Sequence, residues 1–123
     1  MPQILIIDDD LKVAESMRLA LKASHQVEVN GDAQAALASL RSGLRYDAIL
    51  CDLSMPGLNG IDLYQAVLAM DPAQARRIIF MTGGAYLDHI AQSLKNLDNP
   101  CLEKPYRLEQ IRSLVDRVAS AKL

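Results

Sequence analysis

Short apolar runs that each stop at a residue with chemical potential constrain this chain more than any other feature. Ile4-Leu5-Ile6-Ile7 stops at Asp8-Asp9-Asp10, Ala48-Ile49-Leu50-Cys51 at Asp52, and Ile78-Ile79-Phe80-Met81 at Thr82-Gly83-Gly84. A weaker run, Cys101-Leu102-Glu103, stops at Lys104-Pro105, and Val27 with Val29 suggests one more strand. Runs this short read as strands rather than helices, and Ile4-Leu5-Ile6-Ile7, rich in β-branched residues, reads as a strand buried on both faces. Helix-period segments lie between them. Ala14, Met17 and Leu21 form one stripe, with Asp10 placed to cap it. Ala33, Ala36, Leu37 and Leu40 form a second, closed by Gly43; Leu63, Val67 and Met70 form a third, ended by Asp71-Pro72. Leu87, Ile90 or Ala91, and Leu94 predict a fourth helix, and Leu108, Ile111, Val115 and Val118 a last one.

Strands alternating with helices require right-handed crossovers, which place helices on both faces of a parallel sheet. Five such units predict an α/β, flavodoxin-like, doubly wound five-stranded parallel sheet of order 2-1-3-4-5 with five helices. The 123 residues suit one domain, 1–123, with a single core. A net charge of −2 and a pI of about 5.6 argue against a nucleic-acid or anionic-membrane surface on this domain. No apolar run approaches the ~20 residues of a membrane helix. Met1-Pro2-Gln3 lacks the basic start of a signal peptide. Two cysteines make no disulfide framework, and a cytoplasmic domain is the expectation.

In that strand order, strands one, three, four and five are contiguous, and their carboxyl ends carry Asp8 and Asp9, Asp52, Thr82 and Lys104. Neighbouring strands lie about 4.8 Å apart, so these side chains are expected to share one pocket at the switch point. Three crowded carboxylates repel one another, and a divalent cation relieves them. An oxygen-only donor set favours Mg²⁺ or Mn²⁺ over zinc. A hydroxyl and an ammonium opposite the acids suit a phosphoryl group neutralised from both sides. Asp52, between the acids of strand one and Thr82, is the expected nucleophile for an aspartyl-phosphate.

Asp8-Asp9, the run Asp52-Leu53-Ser54-Met55-Pro56-Gly57-Leu58-Asn59-Gly60, Thr82-Gly83-Gly84 and Lys104-Pro105-Tyr106 together resemble the signature of response-regulator receiver domains, across essentially the whole chain. The resemblance implies a phosphoacceptor, Asp52, that takes its phosphoryl group from a histidine kinase or histidine phosphotransfer protein. It implies Asp9 as a direct Mg²⁺ ligand, Asp8 as an acid that positions the metal, and the backbone carbonyl of Ser54 as a further ligand. Thr82 matches the hydroxyl that moves toward the phosphoryl group, and Lys104 the lysine that contacts it, with a cis Lys104–Pro105 bond. Such a domain is not an enzyme on an external substrate; it catalyses only its own phosphorylation and dephosphorylation, and switches a partner-binding face. The stretches around Thr82 and Asn99–Pro105 look similar to receivers of hybrid sensor histidine kinases. The sequence departs from the family at Cys101, where an aromatic usually pairs with the threonine in the switch.

Two other functions compete. The acids after strand one superficially resemble haloacid-dehalogenase-type phosphatases, but Leu11 and Lys12 replace that motif's small residue and threonine. A degenerate, phosphorylation-independent interaction module is the other, kept in play by Cys101. Among the remaining residues, Cys51 and Cys101 are expected to be buried small hydrophobes about 10 Å apart. His25 and His89 are expected at the surface, and Arg107, Arg112 and Arg117 on a solvated face. Small residues Ser54 and Gly84 beside the phosphoryl site are expected to admit water to an acyl phosphate.

Overall fold

The computed structural model describes residues 1–83, 94 and 97–121. Strands β1 (Gln3–Ile7), β2 (Gln26–Asn30), β3 (Ala48–Asp52), β4 (Ile78–Gly83) and β5 (Cys101–Lys104) pair in parallel in the order β2-β1-β3-β4-β5. Helices α1 (Leu11–Leu21), α2 (Ala33–Arg41), α3 (Gly60–Met70), the single turn α4 (Pro72–Ala75) and α5 (Leu108–Ser120) complete the described elements. The helix expected from Leu87 to Leu94 lies, apart from Leu94, outside the described residues, as do His89 and Gly84.

Strand alternation sorts the core into two layers, because successive side chains leave opposite faces of a sheet. Leu5, Ile7, Ile49, Cys51, Ile78 and Phe80 pack under α2 and α3 against Leu37, Leu40, Leu63 and Val67. Ile4, Ile6, Ala48, Leu50, Ile79 and Met81 pack under α1 and α5 against Met17, Leu21, Ile111 and Val115. Phe80, fully buried, meets Tyr64 edge-on with ring centroids 5.7 Å apart.

Caps set the helix boundaries. The Asp10 carboxylate accepts from the N–H groups of Lys12 and Val13, as its position before α1 predicts. Asn59 does the same for α3 by accepting from Asp62 N. Gly43, after α2, has φ +112°, a conformation that favours glycine. Asp71 does end α3, but Pro72 then begins a new turn, since a missing N–H costs nothing at a first helical position.

Strands β3, β4 and β5 run one or two residues further than their apolar runs, so Asp52, Thr82 and Lys104 belong to the ladder itself. Asp52 pairs with Met81, Thr82 with Glu103, and Gly83 with Lys104. These three of the residues expected to carry chemistry are thus held by backbone pairing, whereas Asp8 and Asp9 follow the end of β1.

At the amino edge of the sheet, polar side chains close every loose end they reach. The Gln74 amide accepts from Tyr46 N at 2.8 Å and donates to Tyr46 O at 3.0 Å, imitating a strand neighbour. Arg77 donates to the carbonyls of Asp47, Val118, Ala119 and Ala121 at 3.1–3.3 Å, tying the end of α5 to β3 and β4. Asn99 donates to Ala75 O and Ile78 O.

Two expectations are corrected. His25 is buried, at 4% exposure, with Nδ1 3.0 Å from Leu21 O and Nε2 2.7 Å from an Asp116 carboxylate oxygen. It sits in the turn after α1, where no periodicity betrays burial, and α5 closes over it. Cys101 is exposed, whereas Cys51 is buried. β5 is an edge strand in which Leu102 is buried while Cys101 and Glu103 are exposed, so the face of it that carries Cys101 is open. Phe80 separates the two cysteines in register. Arg107, Arg112 and Arg117 are exposed as expected, although Arg112 Nε also donates to Ala20 O at 3.0 Å.

Candidate functional site

The site lies where β1 and β3 end side by side, with β5 reaching over from the far edge. The alternation that builds the layer under α1 and α5 runs Ile4, Ile6 to Asp8, and Ala48, Leu50 to Asp52; on β5 it runs Leu102 to Lys104. Three of the predicted residues therefore project from one face of the sheet.

Asp8, Asp9 and Asp52 each offer a carboxylate oxygen, and these oxygens lie within 4.8 Å of one another. Asp8 and Asp52 are buried, and Asp9 is exposed. Each buried acid is partly satisfied. Asp8 Oδ1 accepts from Asp10 N at 2.9 Å; Asp52 Oδ1 accepts from Ser54 N at 3.1 Å; and Lys104 Nζ lies 3.4 Å from Asp52 Oδ2. Asp8 Oδ2 is buried with no hydrogen-bond partner.

That orphaned oxygen has an electrostatic cost. Burial pushes the Asp8 carboxyl up from 3.8 to about 6; the charge of Asp52 adds to the rise, while the Asp10 N–H and the Lys104 ammonium oppose it. Tyr106 feels the same field. Its half-buried hydroxyl is pushed up to about 12, by burial first and then by the charges of Asp8, Asp52 and Asp10. The hydroxyl itself contacts Met81 Sδ at 3.6 Å, and the ring packs against the apolar layer under α1 and α5. Its proximity to the acids is something the sequence signals only through the position after Lys104-Pro105. The Lys104–Pro105 bond is cis.

An unsatisfied buried carboxylate oxygen beside two further carboxylates fits a hard divalent cation, which takes oxygen ligands and removes the repulsion. Asp8, Asp9 and Asp52 are the residues that would hold it. One ammonium against three acids leaves the cluster anionic.

Thr82 stands apart. It continues the opposite alternate set, Ile78, Phe80, Thr82, and its buried hydroxyl donates to Gly83 O at 3.0 Å. The structure brings Asp8, Asp9, Asp52 and Lys104 together and places Thr82 at the same edge, with its hydroxyl bonded to backbone. Ser54 joins the cluster through its amide.

Comparison with known proteins bears on this arrangement. The family described as "Response regulator receiver domain" matches residues 4–116. The DNA-binding response regulator MtrA of Mycobacterium tuberculosis is 31% identical over 110 residues, 89% of this chain and 46% of that protein. The transcriptional regulatory protein FixJ of Bradyrhizobium diazoefficiens is 31% identical over 114 residues, 92% of this chain and 54% of that protein. The chain spans about half the length of these curated relatives. Among solved structures, a putative response regulator from Chloroflexus aurantiacus superposes with a TM-score of 0.83 at 26% identity, covering 98% of each chain. The receiver domain of the Francisella response regulator 1452, 24% identical and covering 97% of each chain, has a TM-score of 0.82 and shares the fold. Among the described residues, no helix is long and apolar enough to cross a membrane.

Proposed function

Because this chain belongs to the response regulator receiver domain family, we propose that it is a phosphoacceptor module of a two-component or phosphorelay system, with Asp52 as the acceptor. The observation that carries this reading is the state of Asp52: buried, one oxygen fixed by Ser54 N, the other beside Lys104, and next to an acid with an unpartnered oxygen.

The donor is a phosphohistidine of a histidine kinase or histidine phosphotransfer protein. An Asp52 carboxylate oxygen attacks phosphorus, the P–N bond to the imidazole breaks, and the electron pair leaves with the ring nitrogen, which takes up a proton. Ser54 N holds Asp52 Oδ1, which fixes the direction of the carboxylate. Lys104, already near Oδ2, meets the negative charge on the transferring oxygens. A Mg²⁺ ion, held by Asp8, Asp9 and Asp52 with the Ser54 carbonyl, supplies neutralisation of the phosphoryl oxygens when bound. Thr82 would reach the phosphoryl group by giving up its bond to Gly83 O for one to a phosphoryl oxygen. The domain then acts on itself alone, transferring and hydrolysing its own phosphoryl group, in the cytoplasm, and with no nucleic-acid or membrane contact of its own.

The test is intact mass after incubation with a small-molecule acyl phosphate, with and without Mg²⁺, for the wild type and Asp52→Asn. One phosphoryl group is expected on the wild type with Mg²⁺ only, and none on Asp52→Asn. Labelling that survives in Asp52→Asn, or none on the folded wild type with Mg²⁺, overturns the assignment.

A further inference from the structure

Asp52 is oriented by the backbone that follows it, so whatever fixes residues 52–54 also fixes the acceptor. Two elements grip that segment. Leu53 N donates to Met81 O at 2.9 Å on the β4 side, and Gly60 N, the first residue of α3, lies 3.4 Å from Leu53 O on the other. Gly60 is buried, and its approach is close. A Cβ there would lie 2.9 Å from Leu53 Cδ2, 3.0 Å from Asp52 O and 3.1 Å from Leu53 Cα. Two of these three atoms belong to the backbone of the acceptor segment. A leucine tip can rotate aside, but the carbonyl of Asp52 and the Cα of Leu53 cannot move without turning the Asp52 and Ser54 peptides. The φ of Gly60 is not in the left-handed region, so the position requires space and not an unusual dihedral.

We infer that Gly60 is a positioning residue for the chemistry at Asp52: its missing Cβ lets the first turn of α3 seat against Asp52 O and Leu53 Cα. That contact aims the Asp52 carboxylate and holds the Ser54 amide on it. The inference rests on reading Asp52 as the acceptor, and it adds a residue that touches neither phosphoryl group nor cation. Gly60→Ala displaces α3 from the segment, or the segment from α3. Either way the segment loses its present seat on α3, and with it the support that keeps Ser54 N on Asp52 Oδ1.

The experiment compares the wild type, Gly60→Ala and Val67→Ala. Val67 is fully buried in the same helix, so its truncation weakens the α3 packing without adding an atom near residues 52–54. Three readouts are taken on folded protein: amide exchange of Ser54 without divalent cation, Mg²⁺ affinity by calorimetry, and the rate of labelling by a small-molecule acyl phosphate. Gly60→Ala is expected to lose Ser54 protection and about tenfold in Mg²⁺ affinity, the lower end of what supporting residues around a metal site contribute. Its labelling should slow as well, while Val67→Ala stays within about twofold of the wild type on the last two readouts, the scale of an indirect packing effect.

Where Gly60→Ala does not fold, Leu53→Ala/Gly60→Ala carries the same test. It removes the side-chain contact and keeps both backbone contacts, so the loss should persist; wild-type affinity in it overturns the inference. Wild-type behaviour of Gly60→Ala, or an equal loss in Val67→Ala, also overturns it. A folded wild type that neither binds Mg²⁺ nor takes the label instead refutes the acceptor reading itself.

Discussion

Replacing Asp8 with asparagine should make the folded protein more stable while removing one of the proposed cation ligands. The magnitude follows from the rise of the Asp8 carboxyl from 3.8 to about 6. At about 1.4 kcal/mol per pH unit, that rise corresponds to about 3 kcal/mol. The native state holds the Asp8 proton more tightly than the unfolded chain does, so native stability falls as pH climbs from 3.8 to 6. Above that window the penalty is constant and fully present at neutral pH. The asparagine side chain is neutral, keeps an oxygen to accept from Asp10 N, and escapes the penalty. Without divalent cation at pH 7.5, Asp8→Asn should therefore unfold at higher urea than the wild type, by up to about 3 kcal/mol. At pH 4 the wild-type carboxyl is protonated when folded, and the two proteins should converge. Saturating Mg²⁺ should stabilise the wild type and leave Asp8→Asn nearly unmoved, since a ligand stabilises only the state that binds it. Urea titrations followed by far-UV circular dichroism, with a chelator or Mg²⁺, read all three. If Asp8→Asn matches or falls below the wild type at pH 7.5 with chelator, the buried carboxylate is not a cost and the reasoning fails.

Two further outcomes concern residues away from the acids. Tyr46, buried with its hydroxyl bonded to Glu28, is pushed up to about 12, by burial first and then by that hydrogen bond. Tyr46→Phe should cost about 1 kcal/mol at pH 7. Folded Tyr46 keeps its proton to about 12 and the unfolded residue to about 10, so the wild-type advantage should be full below pH 10 and fade between 10 and 12. Equal urea midpoints at pH 7 would remove the hydroxyl from the account. Arg77→Ala strips a charged donor from carbonyls at the end of α5, and should cost about 2 kcal/mol while accelerating amide exchange in the last turn of that helix. Unchanged exchange there would mean water replaces the guanidinium without loss.

The sheet was legible because its buried strands are nearly uninterrupted apolar runs, and because alternation with helices leaves few topologies. The strand-end acids and Lys104 were legible for the same reason: a polar residue closing an apolar run stands out. What escaped were properties that no period encodes. The burial of His25 depends on α5 packing over a turn, and the exposure of Cys101 depends on which strand forms the edge. The bond of the Thr82 hydroxyl to Gly83 O is a local contact that no spacing announces. Tyr106 and Gly60 escaped because each acts through proximity to another element.

The two edges of the sheet handle polarity in opposite ways. At the amino edge, Gln74, Arg77 and Asn99 satisfy backbone groups from several elements at once. At the carboxyl edge, a buried oxygen lacks a partner and like charges are crowded together. Among the described residues, frustration thus gathers at the carboxyl ends of β1 and β3, and cohesion is concentrated at the opposite edge. Stabilising substitutions introduced among the amino-edge clamps should leave the reactive end unaffected, whereas changes that relieve the carboxyl edge should trade activity for stability. The domain is therefore suited to drift in robustness without drift in chemistry, because the two properties are encoded about a strand's length apart.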